Sequence, residues 1–335
     1  MTEITRKAIS LLSRRALCAG LLALPTLAAT RGVFAQSFPA HPLRLIVPYA
    51  AGGGTDAIAR VVAQVMGEKL GQTVFVENLA GAGGNLATQA AASAAPDGYT
   101  ILMANQGPIA VNPHLFKSLK VDPLAAFDPV TQITAAPLVL VVPRSSPFTS
   151  FAQFMDYARA NPGKLTYGSA GIGSASHLAT VLLNVVAKID TVHVPYKGAG
   201  PALNDLVGAQ TQFMLTTVPS MVGLIENKQL HALAVTTKTR VSSLPDLPSV
   251  AESGWPDYEA AAWYGFVVPK GTPPALVEII RKATVDAINT PLIRDRLANE
   301  GAKPIGNTAA EFGAFIASES KRWAEIVKTA NIAIQ

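Results

Sequence analysis

LRLIVPYAAGGGTDAIARVVAQVMGEKLG, residues 43–71, moves from a β-branched apolar run through three consecutive glycines into an amphipathic stretch of helical period. A strand, a bare turn and a helix in that order form one unit of a mainly parallel α/β sheet. The unit recurs along the chain. TVFVEN enters Gly81-Ala82-Gly83-Gly84 and NLATQAAASAA, and GYTILMAN ends in the polar segment NQGP, which reads as a loop. Further on, LTYGSA enters GIGS and SHLATVLLNVVA, TVHVPY precedes GPALNDLVGA, and TQFMLTT and LHALAVTT read as two more strands.

Helix starts are marked by capping chemistry. Ser150 to Gln153 and Thr308 to Glu311 have the spacing of capping boxes, and Thr272-Pro273 suggests a threonine cap with proline at the first helical position. The Pro-, Ser- and Asp-rich run KTRVSSLPDLPSVAESGWPDYEAAAW reads as a long connection. Two similar strands, LVLVVP (138–143) and GFVVP (265–269), are expected to link two α/β lobes. Lobe 1 is then discontinuous, residues 36–137 with 264–335, and lobe 2 is residues 138–263. Two linking strands between two lobes make a hinge that can close on a ligand.

Residues 1–35 are expected to be an export signal and are set aside from the fold. A basic start is followed by an apolar run from Ala16 to Ala29, too short to cross a bilayer core, and a cut after Ala35 fits the small residues there. Arg14-Arg15 allows a twin-arginine route as well as the Sec route. The chain's 27 basic and 22 acidic residues become 22 and 21 once the leader's five and one are removed. The basic balance therefore belongs to the leader, and nucleic-acid or membrane-surface binding is not expected. Cys18 is the single cysteine, so the remaining 300 or so residues offer no disulfide, thiol nucleophile or cysteine ligand. That length suggests two domains of about 150 residues each.

Candidate chemistry gathers in four stretches after strands: Ala51 to Asp56, Gly81 to Asn85, Ser169 to Ser176, and Thr216 to Ser220. In open α/β sheets ligands bind beyond the carboxyl ends of strands. Helices starting there turn free N–H groups and partial positive charge toward an anion. The candidate ligand residues are Tyr49, Ala51, Gly53, Gly54, Thr55 and Asp56 in the first stretch, and Gly83, Gly84 and Asn85 in the second. Asn105 and Gln106 close the third strand, and Ser169, Gly171, Ser174 and His177 form the third stretch. Tyr196, Lys197, Thr216 and Thr217 complete the set.

A nucleotide fits poorly. GGGTD lacks the Lys-Ser/Thr of a P-loop, and neither GGGTDA nor GAGGNL has the third glycine of a dinucleotide fingerprint. Asp56 is expected to cap its own helix rather than face a ligand. No G-x-S-x-G elbow occurs, and Ser176 beside His177 cannot form a dyad because adjacent helical residues diverge. His177 is expected to pack or cap. The other histidines lack metal-ligand spacing, so no catalytic residue, metal or cofactor is expected.

Several long segments carry a resemblance. LRLIVPYAAGGGTDAIAR, VFVENLAGAGGNLATQAAASAAPDGYTIL, NPGKLTYGSAGIGSASHLA, VHVPYKGAGPALNDLVGAQTQFM, LHALAVTT, LPDLPSVAESG and AAWYGFVVPKGTP are similar, in order, to the Bug family, extracytoplasmic receptors of tripartite tricarboxylate transporters. The resemblance implies a monomeric, type II-like periplasmic binding protein with two lobes joined by two hinge strands. It would capture a small mono-, di- or tricarboxylate or aromatic acid and deliver it to integral-membrane permease subunits. A role as a ligand-loaded sensor for a histidine kinase, or an organic-acid enzyme on the same scaffold, is the alternative. The family's pattern implies a carboxylate held by backbone amides and ordered waters at Ala51 to Asp56 and Gly81 to Asn85, with the Ser169 to His177 turn closing from the other lobe. Where many relatives carry an acid after TQFM and a following residue, this chain has Thr216. That favours a plain carboxylate over an amino acid.

Overall fold

The computed structural model describes residues 38–299 and 301–329; the expected export signal lies outside them. The first strand, β1 (Leu43–Val47), is buried along almost its whole length and feeds α1 (Gly54–Leu70). Gly71 ends α1 in the left-handed region, returning its N–H to Gly67 O. β2 (Val74–Asn78) and α2 (Asn85–Ala92) follow, then β3 (Thr100–Asn105). NQGP is not a loop. Gln106–Val111 forms a π-helical turn, wholly buried, that runs into a short helical turn at Asn112–Leu115.

The strand that organises the fold is β4, Phe127–Pro143, 17 residues long. It is followed by α3 (Phe151–Ala160), β5 (Leu165–Ser169), α4 (Ala175–Ala187) and β6 (Thr191–Pro195). Then come α5 (Ala199–Val207), β7 (Met214–Thr217), α6 (Val218–Glu226) and β8 (Leu230–Val235). The chain returns through β9 (Ala261–Pro269), α7 (Pro274–Ile288), α8 (Pro291–Asn299), β10 (Lys303–Pro304) and α9 (Ala309–Thr329).

One sheet runs β10-β4-β9-β3-β1-β2, with β7 and β8 also paired to β4. β1 is parallel to β2 and β3, whereas β9 is antiparallel to β3 and β4. β4 changes partners along its length. Phe127–Pro137 pairs with β9, and from Leu138 onward it pairs with β7 and β8. The chain comes back at Thr236, whose hydroxyl bridges Leu138 N (2.8 Å) and Ala260 O (2.7 Å). GFVVP, expected as a linking strand, lies within β9 and pairs only with β3 and the first half of β4. The connection before it, residues 237–260, contains no helix or strand, only a bridge from Val235 to Ser249.

Each half of β4 has its own core. Ile46, Leu102, Phe127, Trp263, Val267 and Phe312 cluster around the first half, and Val139, Val141, Leu203, Leu206, Met214 and Val235 around the second. α9 buries Phe312, Ile316, Ser320, Trp323 and Val327, one face of a 3.6-residue period; Phe312 and Ile316 join the first core, while Trp323 and Val327 cluster with Val111, Leu115 and Leu178. Fully burying such large apolar side chains is worth roughly 1.5–3 kcal/mol each. Its start is a full capping box: Thr308 N donates to Glu311 Oε2 (2.8 Å) and Glu311 N to Thr308 Oγ1 (3.2 Å). At α3 the Ser150 hydroxyl accepts from Gln153 N, but Gln153 returns its oxygen to Thr149 N. At α7 the expected threonine cap is displaced. The helix begins at Pro274, and the Thr272 hydroxyl donates back to Pro269 O. No helix among the described residues is long and apolar enough to cross a membrane.

Candidate functional site

A cavity of about 50 Å³ lies where the two halves of the sheet meet. At 10–15 Å³ per water centre it holds about three to five waters. Four helices begin on its wall: α1 through Gly53, Gly54 and Thr55, α4 through Ser174 to Ser176, α5 through Ala199, and α6 through Thr217 and Ser220. Tyr49, Asn105, Thr216, Trp263 and Tyr264 also line it, and no Lys, Arg, His, Asp or Glu does. The partial positive charge on its wall is therefore that of helix N-termini. Of the four helices, only α4 has its first turn capped by its own N-cap side chain, Ser174 accepting from His177 N.

The two sides of the cavity touch directly. Ala50 N donates to Lys197 O (2.9 Å), and Gly54 N donates to Ser220 Oγ (2.7 Å), which sits 3.1 Å from Thr217 Oγ1. Glycine makes these approaches possible. A Cβ at Gly107 would lie 2.6 Å from Gly173 O, and one at Gly83 would lie 2.5 Å from Ile172 O. Asn112 braces the same seam, donating through Nδ2 to Gly83 O (2.9 Å) and Asn85 Oδ1 (2.6 Å).

The structure brings together Tyr49, Gly53, Gly54, Thr55, Asn105, Gln106, Ser174, Thr216 and Thr217 from the expected set. It places the others elsewhere, each for a visible reason. Gly83 meets the Gly171-Ile172-Gly173 turn, Gly84 packs against Pro48 and Pro108, and Asn85 Oδ1 accepts from Asn112 Nδ2, so none of the three lies on the cavity wall. The exposed Ala51 meets Gly200 across the seam: a Cβ at Gly200 would lie 2.9 Å from its carbonyl oxygen. Tyr196 turns its hydroxyl to Asp205 (2.7 Å), and Lys197 is exposed, contributing only its carbonyl. Gln106 lines the cavity, but its amide, oriented to match its neighbours, donates to Ala261 O (3.0 Å) and accepts from Trp323 Nε1 (2.7 Å).

Asp56 faces away from the cavity. Its carboxylate accepts from Gly52 N (3.1 Å), Arg60 Nε (3.0 Å) and Asn78 Nδ2 (3.0 Å). It thus steadies the glycine turn that enters α1, not the free N–H groups beyond it. Burial opposes its charge, but the bonds from Arg60, Asn78 and Gly52 with the Arg60 charge outweigh it and hold the carboxyl below its usual range.

Ser169, Gly171 and His177 support the serine-glycine turn from behind. His193 Nε2 lies 2.6 Å from Ser169 Oγ, Gly173 N donates to His177 Nδ1 (3.2 Å), and the two imidazoles stack at 4.2 Å. Burial, with the neighbouring His193 second, pulls His177 down to about 3, and burial pulls His193 down to about 4. Both imidazoles stay neutral at ordinary pH.

Residues the motifs did not single out include Ser176, Ser220, Leu138, Trp263 and Tyr264. Ser176 and Ser220 each stood at the end of a candidate stretch. Tyr264 reaches the site only because β9 sets it opposite Asn105, a register no local motif encodes.

An α/β chain whose central strand serves two cores, with a charge-free cavity between opposed helix N-termini, has the architecture of a type II-like periplasmic binding protein. The chain belongs to the tripartite tricarboxylate transporter family receptors (TctC), whose family model matches residues 58–332. It is similar to BugT of Bordetella pertussis, 35% identical over 297 residues, 88% of this chain and 91% of that one. It also resembles the structure of an R. palustris protein with adipate (34% identity, TM-score 0.85, covering 88% and 98% of the two chains). MatC from Rhodopseudomonas palustris with bound malate is similar at 32% identity and TM-score 0.82, covering 87% and 100%.

Proposed function

We propose that this protein is a periplasmic receptor that captures a small organic carboxylate between two lobes, residues 36–137 with 264–335 and residues 138–263. It hands the ligand to the permease of a tripartite tricarboxylate transporter, after export by the signal at residues 1–35. The observation that carries this reading is the cavity wall: helix N-termini from both halves of β4, and no charged side chain among the lining residues. Such a wall stabilises an anion with fixed backbone dipoles. The adipate and malate in the related structures support the same class of ligand.

Tyr49, Gly53, Gly54, Thr55, Asn105, Ser174, Thr216 and Thr217 form the proposed ligand shell, with Ser176 and Ser220. The Gly83 to Asn85 turn acts as the closing seam. The reading is binding rather than turnover, and a lining with no carboxylate, imidazole, thiol or ammonium supports it. Thr216 in place of an acid leaves an ammonium group without a counter-charge, so plain acids are favoured over amino acids.

Thermal unfolding against a panel of carboxylic acids tests this reading. An acid at about 100 times its Kd should add about 2.7 kcal/mol of stability. If only aspartate or glutamate stabilises the protein, or no acid does, the reading is wrong. Mass spectrometry of ligand carried through purification gives an independent answer.

A further inference from the structure

Two polar groups beside the cavity have no hydrogen-bond partner: the Tyr49 hydroxyl and Asn105 Oδ1. Tyr49 follows β1 and Asn105 ends β3, the neighbouring parallel strand. They are 6% and 7% exposed, and the Asn105 amide reaches the Tyr49 phenol oxygen only weakly, so the phenol O–H and the amide oxygen stay unmatched. Asn105 Nδ2 reaches Thr55 Oγ1 at a long 3.5 Å. Leaving a buried donor or acceptor unmatched costs about 1–3 kcal/mol. Of the five such atoms among the described residues, these are the two whose residues line the cavity.

The two groups ask for different things. A phenol can donate to a carboxylate oxygen, whereas an amide oxygen only accepts. A carboxylate has nothing to give it, so a ligand that satisfies both must carry a donor near its acid group. An ammonium is a poor fit, because four helix N-termini surround the cavity and no acid lines it. A hydroxyl fits, and room for about three to five waters suits an acid of about three or four carbons.

We propose that Asn105 is a specificity residue that accepts a hydrogen bond from a ligand hydroxyl, so that the preferred ligand is a short hydroxy acid. The inference rests on the carboxylate reading above. Tyr49 donates to the acid group of the same molecule, and Asn105 separates hydroxy acids from their deoxy and oxo analogues.

Titration calorimetry with matched acids tests it: lactate, propionate and pyruvate, and malate with succinate. The hydroxy acid of each set should bind at least about tenfold more tightly than its deoxy partner, the value of one hydrogen bond to a buried acceptor. Asn105→Leu should bring that ratio below about threefold, while Tyr49→Phe should weaken hydroxy and deoxy acids by similar factors. Deoxy acids binding within threefold of hydroxy acids, or oxo acids binding best, would overturn the inference and leave the carboxylate reading standing. A preference retained in Asn105→Leu removes Asn105 from the role. Failure of all five acids overturns the inference, and failure of the wider carboxylic-acid panel as well overturns the carboxylate reading. The wild-type comparison needs no variant to fold.

Discussion

Gly107→Ala presses on the closing seam and on the Tyr49 hydroxyl beside it. Gly107 lies in the buried π-helical turn after β3, and its φ is outside the left-handed region, so alanine introduces no backbone strain of its own. The new Cβ would stand 2.6 Å from Gly173 O and 3.1 Å from Gly173 C, both backbone atoms of the facing turn, and 3.0 Å from the Tyr49 hydroxyl. Ordinary contact begins near 3.4 Å, so the two turns must separate by about 0.8 Å. Overpacking of this kind costs roughly 1–3 kcal/mol. If the seam forms only in the closed arrangement, that cost falls on closure and hence on affinity, a loss of about 5- to 150-fold. Calorimetry with the best acid from the panel measures it, and small-angle scattering should show a larger radius of gyration than the wild type. Thermal stability without added acid should change little, since the halves can part. Binding within twofold of wild type would refute the seam. A drop in unfolding free energy matching the affinity loss would show instead that the contact belongs to one rigid body. Gly54→Ala makes a useful contrast: the atoms nearest its Cβ are the side-chain oxygens of Thr217, Ser220 and Tyr264, two of them in the proposed ligand shell, so its loss should fall on affinity through the shell rather than through the backbone of the facing turn.

Ser220→Ala removes the acceptor that Gly54 N uses across the cavity and should weaken acid binding by about fivefold, one ordinary hydrogen bond of about 1 kcal/mol; unchanged or tighter binding counts against the clasp. Gly265→Ala would drive a Cβ into the Phe312 ring, 2.7 Å from its Cε1, and to within 2.8 Å of Thr131 O, so urea unfolding should show a loss of roughly 1–3 kcal/mol. His177 and His193 set an acid limit. Their pKa values in the folded protein, about 3 and about 4, lie below the ordinary 6.5, so the folded state binds fewer protons than the unfolded one. The stability they contribute is present above pH 6.5 and is lost as pH falls toward 4 and then 3, at up to about 1.4 kcal/mol per unit for each. Urea midpoints at pH 7, 6 and 5 should fall in that order, and His177→Gln with His193→Gln should flatten the trend; a wild-type midpoint constant over that range contradicts the assignment.

Glycine turns behind strands were the most legible feature of the chain, and the reason they were only half understood is physical. A bare turn shows that something approaches the backbone closely; it does not show what. Ala51 to Thr55 and Gly81 to Asn85 look alike in sequence, yet the first opens onto the cavity and the second meets the carbonyl of Ile172. The difference is made by residues about 90 positions further along the chain. Local chemistry read well where its partner was local, as in the Thr308–Glu311 box. It misled where a nearby partner competed: Tyr196 is taken by Asp205.

Asp56 shows how the proposed anion site can carry an acid beside it without harm. Its carboxylate is two residues from Gly54, whose N–H faces the cavity wall, and a free negative charge there would repel any carboxylate ligand. Arg60 and Asn78 turn it to the opposite side of the glycine turn and match its charge, and Gly52 N fixes its direction. The same three bonds hold the turn that presents Gly53 and Gly54. The acid thus rigidifies the cavity-facing amides from behind, and in the proposed site the missing phosphate-loop lysine is not needed, because the positive end of α1 is left to the cavity. A site built this way gains little from strong point charges, so its discrimination has to come from hydroxyls, amide groups and the space between them.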